Sequence, residues 1–140
     1  MKKMIVASAM LTAGMLVGIG TASAHHSFAA EFDSNKKVSL NGVVTKVEWT
    51  NPHVWIYFNV KDDAGKVTNW GAEMGPPHGL QGGGWRRNTL EIGSVITVDG
   101  FMAKNGTSRM NARTVTLAST GGRPGAKLDA SSSINSGTNK

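Results

Sequence analysis

Apolar and polar residues alternate most regularly in the stretch HVWIYFNV, residues 53–60. Side chains point alternately to the two faces of a strand, so this pattern predicts a strand with one apolar face and one mixed face. The apolar face carries Val54, Ile56, Phe58 and Val60, and the mixed face carries His53, Trp55, Tyr57 and Asn59. If the apolar face lies in a core, Trp55 and Tyr57 are exposed and form a candidate binding face.

The same periodicity predicts four further strands, at residues 38–49, 67–74, 94–103 and 108–117. In the first of them the apolar parity changes, and we place that change at Gly42 as a bulge or sharp bend. Turn sequences separate the later strands: DDAG at residues 62–65 and KNG at residues 104–106. Residues 75–84 read GPPHGLQGGG, which favours at most a short helical turn.

This element order predicts an all-β domain. Three strands in a meander, a short helical or irregular connector between strands 3 and 4, and a final hairpin are typical of a small five-stranded antiparallel Greek-key barrel of the OB type. We therefore expect an OB-like barrel over residues 38–118, preceded by an N-terminal segment at 25–37.

The first 24 residues predict a secretory signal peptide. They comprise a basic start with Lys2 and Lys3, an uncharged apolar run, and an Ala22-Ser23-Ala24 end. Cleavage between Ala24 and His25 predicts a periplasmic or secreted protein without stable membrane insertion after processing, because the run is shorter than the ~20 strongly apolar residues of a membrane span.

Amino-acid composition and net charge argue against several classes of function. The chain has no cysteine, which excludes disulfides and thiolate sites. Its formal net charge of +6 is mild and scattered, which argues against a nucleic-acid partner. Residues 119–140 are rich in Ser, Gly and Asn, and we predict a disordered tail there.

The predicted cleavage makes His25 the first residue, followed by His26. The free α-amine and the imidazole of His25 then form a chelate for one metal ion, and nitrogen ligands of this kind suit Cu(II). His26, and His53 if the N-terminal arm folds back, are the further candidate ligands. The alternative is that a His-His pair in a terminus is only solvated.

His53 has two interpretations. It is either a ligand-facing group beside Trp55 and Tyr57, or a corner histidine that hydrogen-bonds to the backbone near Asn51. The sequence contains no G-x-S-x-G, H-E-x-x-H or phosphate-loop motif, and no carboxylate pair or triad is recognisable. We therefore predict a non-catalytic exported binding module for an unknown protein or small-molecule ligand, with a copper-binding protein that uses His25 as the alternative.

Several segments carry a resemblance: HHSFAAEFD, VTKVEWTNPHVWIYF, GKVTNW, GWRRNTL, VITVDGFMAKNG and NARTVTL. Together they resemble a family of small exported bacterial proteins of unknown function, over roughly residues 25–118. The resemblance implies an exported, β-rich domain and implies no activity.

Overall fold

The computed structural model describes residues 25–119 and 124–131. The predicted signal peptide lies outside the described residues. Two helices and six strands follow one another along the chain: α1 (His25–Glu31), β1 (Phe32–Glu48), β2 (Trp55–Lys61), β3 (Val67–Glu73), α2 (Pro77–Gly82), β4 (Val95–Ala103), β5 (Arg109–Leu117) and β6 (Ala126–Asp129). None of the described helices has the length and hydrophobicity needed to cross a membrane.

The strands form one sheet in the order β3-β2-β1-β4-β5-β6. Neighbouring strands are antiparallel, and β3 also pairs with β5 in parallel, from Gly71 opposite Arg109 to Glu73 opposite Asn111. That pairing closes the first five strands into a ring. The predicted all-β barrel of the OB type, with a short helix between the third and fourth strands, is therefore confirmed.

The barrel interior is apolar. Val54, just before β2, and Ile56 and Phe58 of β2 are fully buried, as their alternation predicts. They belong to a core supplied by every strand and by the α2 connector, which contributes Leu80 and Trp85. Because these side chains fill the ring, the opposite face of β2 points outward.

The long first strand bends at a different place from the predicted one. Val44 is 1% exposed whereas Val43 is 42% exposed, so the inward parity passes through Gly42 unchanged. The register of β1 against β2 shifts between Val44 and Lys46 instead. Gly42 serves another purpose: a Cβ there would lie 2.5 Å from the carbonyl oxygen of Asn59, so only glycine allows β1 and β2 to approach so closely.

Helix and strand extend beyond residues 38–118 at both ends. The segment 25–37 contains α1 and the start of β1. Phe28 of α1 packs on Phe32 and on Phe101, with ring centroids 5.8 and 5.7 Å apart, and these contacts hold α1 against the barrel. The predicted disordered tail contains β6, which pairs with residues 114–117 of β5. The remaining tail residues, 120–123 and 132–140, lie outside the described part of the chain.

The order of β6 has a tertiary cause. Ala130, just after it, is fully buried; its backbone N–H donates to the carbonyl oxygen of Arg113, and its carbonyl oxygen accepts from the N–H of Gly75. The indole N–H of Trp85 donates to the carbonyl oxygen of Asp129 at 2.6 Å. A prediction of disorder from composition depends on how many side chains can be buried. It does not include the backbone hydrogen bonds that the folded barrel offers to a neighbouring segment.

Candidate functional site

The outer face of β2 and β3 presents two aromatic rings. Trp55 and Tyr57 are both partly exposed, and their rings are stacked with centroids 6.4 Å apart and planes inclined by 22°. Gly71 of β3 lies beneath them: a Cβ at that position would be 3.3 Å from Cε1 of Tyr57 and 3.7 Å from Cε3 of Trp55. We call this surface, made of Trp55, Tyr57 and Gly71, the aromatic face.

Two cations border the aromatic face. The guanidinium carbon of Arg109 lies 4.5 Å from the ring centroid of Trp55, and Nζ of Lys46 lies 5.4 Å from that of Tyr57. Both distances are within the range of cation–π attraction. Arg109 begins β5 and stands opposite Gly71 in the parallel pairing, so no side chain separates it from the rings.

Glu48 connects Lys46 to Tyr57. Its carboxylate accepts hydrogen bonds from the ammonium group of Lys46 and from the hydroxyl of Tyr57, the latter at 3.1 Å. Lys46 first, and then Tyr57, lower the pKa of Glu48. Burial, and then the hydrogen bond to Glu48, raise the pKa of Tyr57, so its hydroxyl stays protonated and available as a donor at neutral pH.

His53 pairs with a side chain rather than with the backbone. Its Nδ1 contacts Oε1 of Glu73, a side-chain partner in place of the backbone hydrogen bond near Asn51 that one of the two interpretations gave. The two side chains are 21% and 12% exposed. Because Nδ1 is engaged, Nε2 is the ring nitrogen left to meet a ligand. His53 precedes β2 and contacts Glu73, which stands opposite Trp55 across β2 and β3, so it lies at the border of the aromatic face.

Amide side chains extend the same surface beyond Tyr57. Asn69 donates to Oγ1 of Thr45 at 3.1 Å and to Oδ1 of Asn59 at 2.8 Å. Asn59 and Asn69 are both exposed and opposite each other on β2 and β3. The surface therefore runs from an imidazole–carboxylate pair, across two rings, to a pair of amides.

Of the three predicted metal ligands, the structure describes the side chain of His53. Among the side chains that the structure describes, there is no group of three or more His, Cys, Asp or Glu residues able to hold a metal ion. The side chains of His25 and His26 lie outside the described part of the structure. Nδ1 of His53 contacts Glu73, and the ring of Phe28 in α1 contacts side chains of β1, β4 and β5.

Sequence reasoning missed Arg109, Glu73, Lys46 and Glu48 as members of this site. The alternation of β1 past its bulge carries a signal for Lys46 and Glu48, since they share a parity. Arg109 carries no such signal, because its place beside Trp55 depends on the parallel contact between β3 and β5.

A closed five-stranded barrel with a parallel contact between its third and fifth strands has the architecture of the OB type. The chain itself belongs to DUF6152, a family of unknown function, whose model matches residues 14–112. This confirms the expected membership in a β-rich family without an assigned activity. A comparison with curated proteins found no match.

Proposed function

We propose that this protein is a non-catalytic binding module whose ligand lies on the aromatic face, with Trp55 and Tyr57 as platforms and His53 at its border. One observation carries the proposal: two large rings stay partly exposed although the core is complete without them. Tyr57 and Trp55 are held by Glu48, Lys46 and Arg109, so a ligand meets rings that are already oriented. Pre-oriented groups lower the entropic cost of binding.

The proposal is non-catalytic because the site lacks an assembled nucleophile. Glu73 orients His53 in the way that a carboxylate orients a general base, but none of the described hydroxyl groups hydrogen-bonds to that imidazole. A nucleophile within hydrogen-bond reach of its base is the minimum arrangement for covalent catalysis. The arrangement around Trp55 and Tyr57 favours binding.

Export belongs to the same proposal. The basic start, the apolar run and the Ala22-Ser23-Ala24 end support processing after Ala24 and release into the periplasm or medium. The intact mass of the protein recovered from each cell fraction tests this. A mass that begins at His25 in the periplasmic or secreted fraction supports export, and an unprocessed cytoplasmic protein contradicts it.

The binding proposal is tested by nuclear magnetic resonance with a panel of probes. The panel contains neutral and acidic oligosaccharides and a single-stranded oligonucleotide, and Trp55→Phe assigns the indole N–H signal of Trp55. We expect one probe class to shift that signal and β2–β3 amides, and Tyr57→Ala to weaken its binding about tenfold, as loss of one ring platform does in related barrels. Val67→Ala is the matched control, because Val67 is 55% exposed on β3 but lies outside the face.

Probes that shift only residues of other surfaces, or binding that Tyr57→Ala leaves unchanged, would contradict a ligand on the aromatic face. If the amide signals of the core residues are unchanged in Tyr57→Ala, the barrel is intact and a loss of binding comes from the missing ring.

Copper binding through His25 is the second candidate. The observation that favours it is that α1 begins at His25 and is anchored three residues later by Phe28, which gives the predicted mature terminus a defined position. Calorimetric copper titration of the processed protein, beside a version with one Gly added before His25, tests it. Tight one-to-one binding that the added residue abolishes supports a terminal chelate, and equal binding by both versions contradicts it.

A further inference from the structure

The charges around the aromatic face are unequally paired. Lys46 forms an ion pair with Glu48, and the carboxylate of Glu73 contacts Nδ1 of His53. Arg109 makes no ion pair with any described carboxylate, and its guanidinium lies over the ring of Trp55. Among the described residues, Arg109 is therefore the cation of this face that no carboxylate neutralises.

Within the described residues, no hydrogen bond or ion pair engages the guanidinium of Arg109, which lies over the ring of Trp55. A guanidinium that packs its flat face on an aromatic ring keeps the N–H groups at its edge free for a planar anion. Such groups bind a carboxylate through two parallel hydrogen bonds, which a lysine cannot reproduce. Contact with Trp55 also restricts the side chain before a ligand arrives.

We propose that the ligand of the aromatic face is an acidic saccharide of the hexuronate type, whose sugar ring packs on Trp55 and Tyr57 and whose carboxylate binds Arg109. This inference rests on the proposed function and adds the chemical class of the ligand. The flat C–H face of a sugar complements an aromatic ring, and the hydroxyl groups of the next sugar unit match the amides of Asn59 and Asn69.

The charge balance disfavours a nucleic acid at the same surface. Single-stranded nucleic acids carry one charge per nucleotide and are bound in grooves with many cations. Here two carboxylates, of Glu48 and Glu73, lie beside the rings and one cation is free. One acidic group next to a flat ring fits that balance, and a row of phosphates does not.

Calorimetry with tetragalacturonate and its methyl-esterified form tests the inference, because the two differ in charge and share the same sugar rings. Tetramannuronate, in free and esterified form, covers the other ring geometry. We expect at least one free acid to bind at least tenfold more tightly than its ester. Arg109→Gln should remove that preference, whereas Arg109→Lys should retain part of it.

Arg113→Gln is the matched control. Arg113 is exposed on the same strand, and its guanidinium also packs on rings, those of Phe28 and Phe101, but away from the aromatic face. Its substitution should leave the preference for the acid unchanged. The amide spectra of both variants show whether the barrel is intact.

Three results would overturn the inference. Equal affinity for acid and ester, with no effect of Arg109→Gln, would remove the role of the carboxylate; sensitivity to Tyr57→Ala would then still support a binding face. Absence of binding by both free acids would exclude a hexuronate ligand and leave the face to the wider probe panel. Binding of a single-stranded oligonucleotide more tightly than either acid would assign the surface to nucleic acid.

Discussion

The contact between Trp85 and β6 allows one prediction to be worked through from the structure. Trp85 is 1% exposed, and its indole N–H donates to the carbonyl oxygen of Asp129 at 2.6 Å. Trp85→Phe keeps an aromatic ring in the core, removes this donor and leaves space beside the ring. The change therefore tests how much the C-terminal strand contributes to the stability of the barrel.

The expected cost has two parts. The lost hydrogen bond accounts for about 1 kcal/mol of the free energy of unfolding. Loss of roughly two buried ring carbons accounts for about 1.5 kcal/mol more. For a domain of this size a total of about 2–3 kcal/mol corresponds to a fall in Tm of roughly 10–20 °C.

Urea unfolding followed by far-ultraviolet circular dichroism measures this cost without depending on tryptophan fluorescence. The decisive comparison repeats Trp85→Phe in a chain that ends at residue 123 and therefore lacks Asp129. There the hydrogen bond is absent beforehand, so the same substitution should cost about 1 kcal/mol less. Equal costs in both chains, within about 0.5 kcal/mol, would refute the contribution of this bond.

Three further predictions concern other parts of the barrel. Hydrogen bonds to the carboxylate of Asp99, first of all that from Ser39, lower its pKa. Asp99 therefore stabilises the fold fully above about pH 5, and this stabilisation is lost as the pH falls through the pKa of the folded state. Asp99→Asn should reduce the fall of the urea midpoint at acid pH, and an unchanged dependence of the midpoint on pH would contradict this. Gly100→Ala would place Cβ 1.9 Å from the carbonyl oxygen of Asn111. Thermal unfolding should therefore show a free energy of unfolding lower by about 3 kcal/mol, and a Tm equal to that of the unchanged protein would refute the close approach. Phe28→Ala should speed amide exchange of α1 while the barrel amides keep their protection; unchanged exchange would show that its contacts do not anchor the helix.

The barrel was predictable from sequence where side-chain alternation is regular. The buried set Val54, Ile56 and Phe58 and the outward direction of Trp55 and Tyr57 follow from the period of two in one segment. The turn at residues 62–65 was equally clear, since Gly65 has a φ of 86°, which glycine adopts without strain.

The missed features depend on contacts between distant segments. The sequence pattern predicts the bulge in β1 at Gly42 because the apolar Val43 favours an inward position. In the structure Val43 is exposed, and the register shifts between Val44 and Lys46. β6 is ordered by backbone partners that exist only in the folded barrel. Arg109 reaches Trp55 through the closing pair of strands, and no local pattern records that neighbour.

The parallel contact between β3 and β5 links ligand occupancy to the closed state of the barrel. Trp55 and Arg109 come from segments that become neighbours only when Gly71 pairs with Arg109. A ligand that contacts both residues binds the closed ring and not the open chain, so it must raise the free energy of unfolding, by about 2.7 kcal/mol at a hundred times its Kd. A rise in melting temperature thus becomes a label-free signal by which compounds can be searched for one that fits this protein.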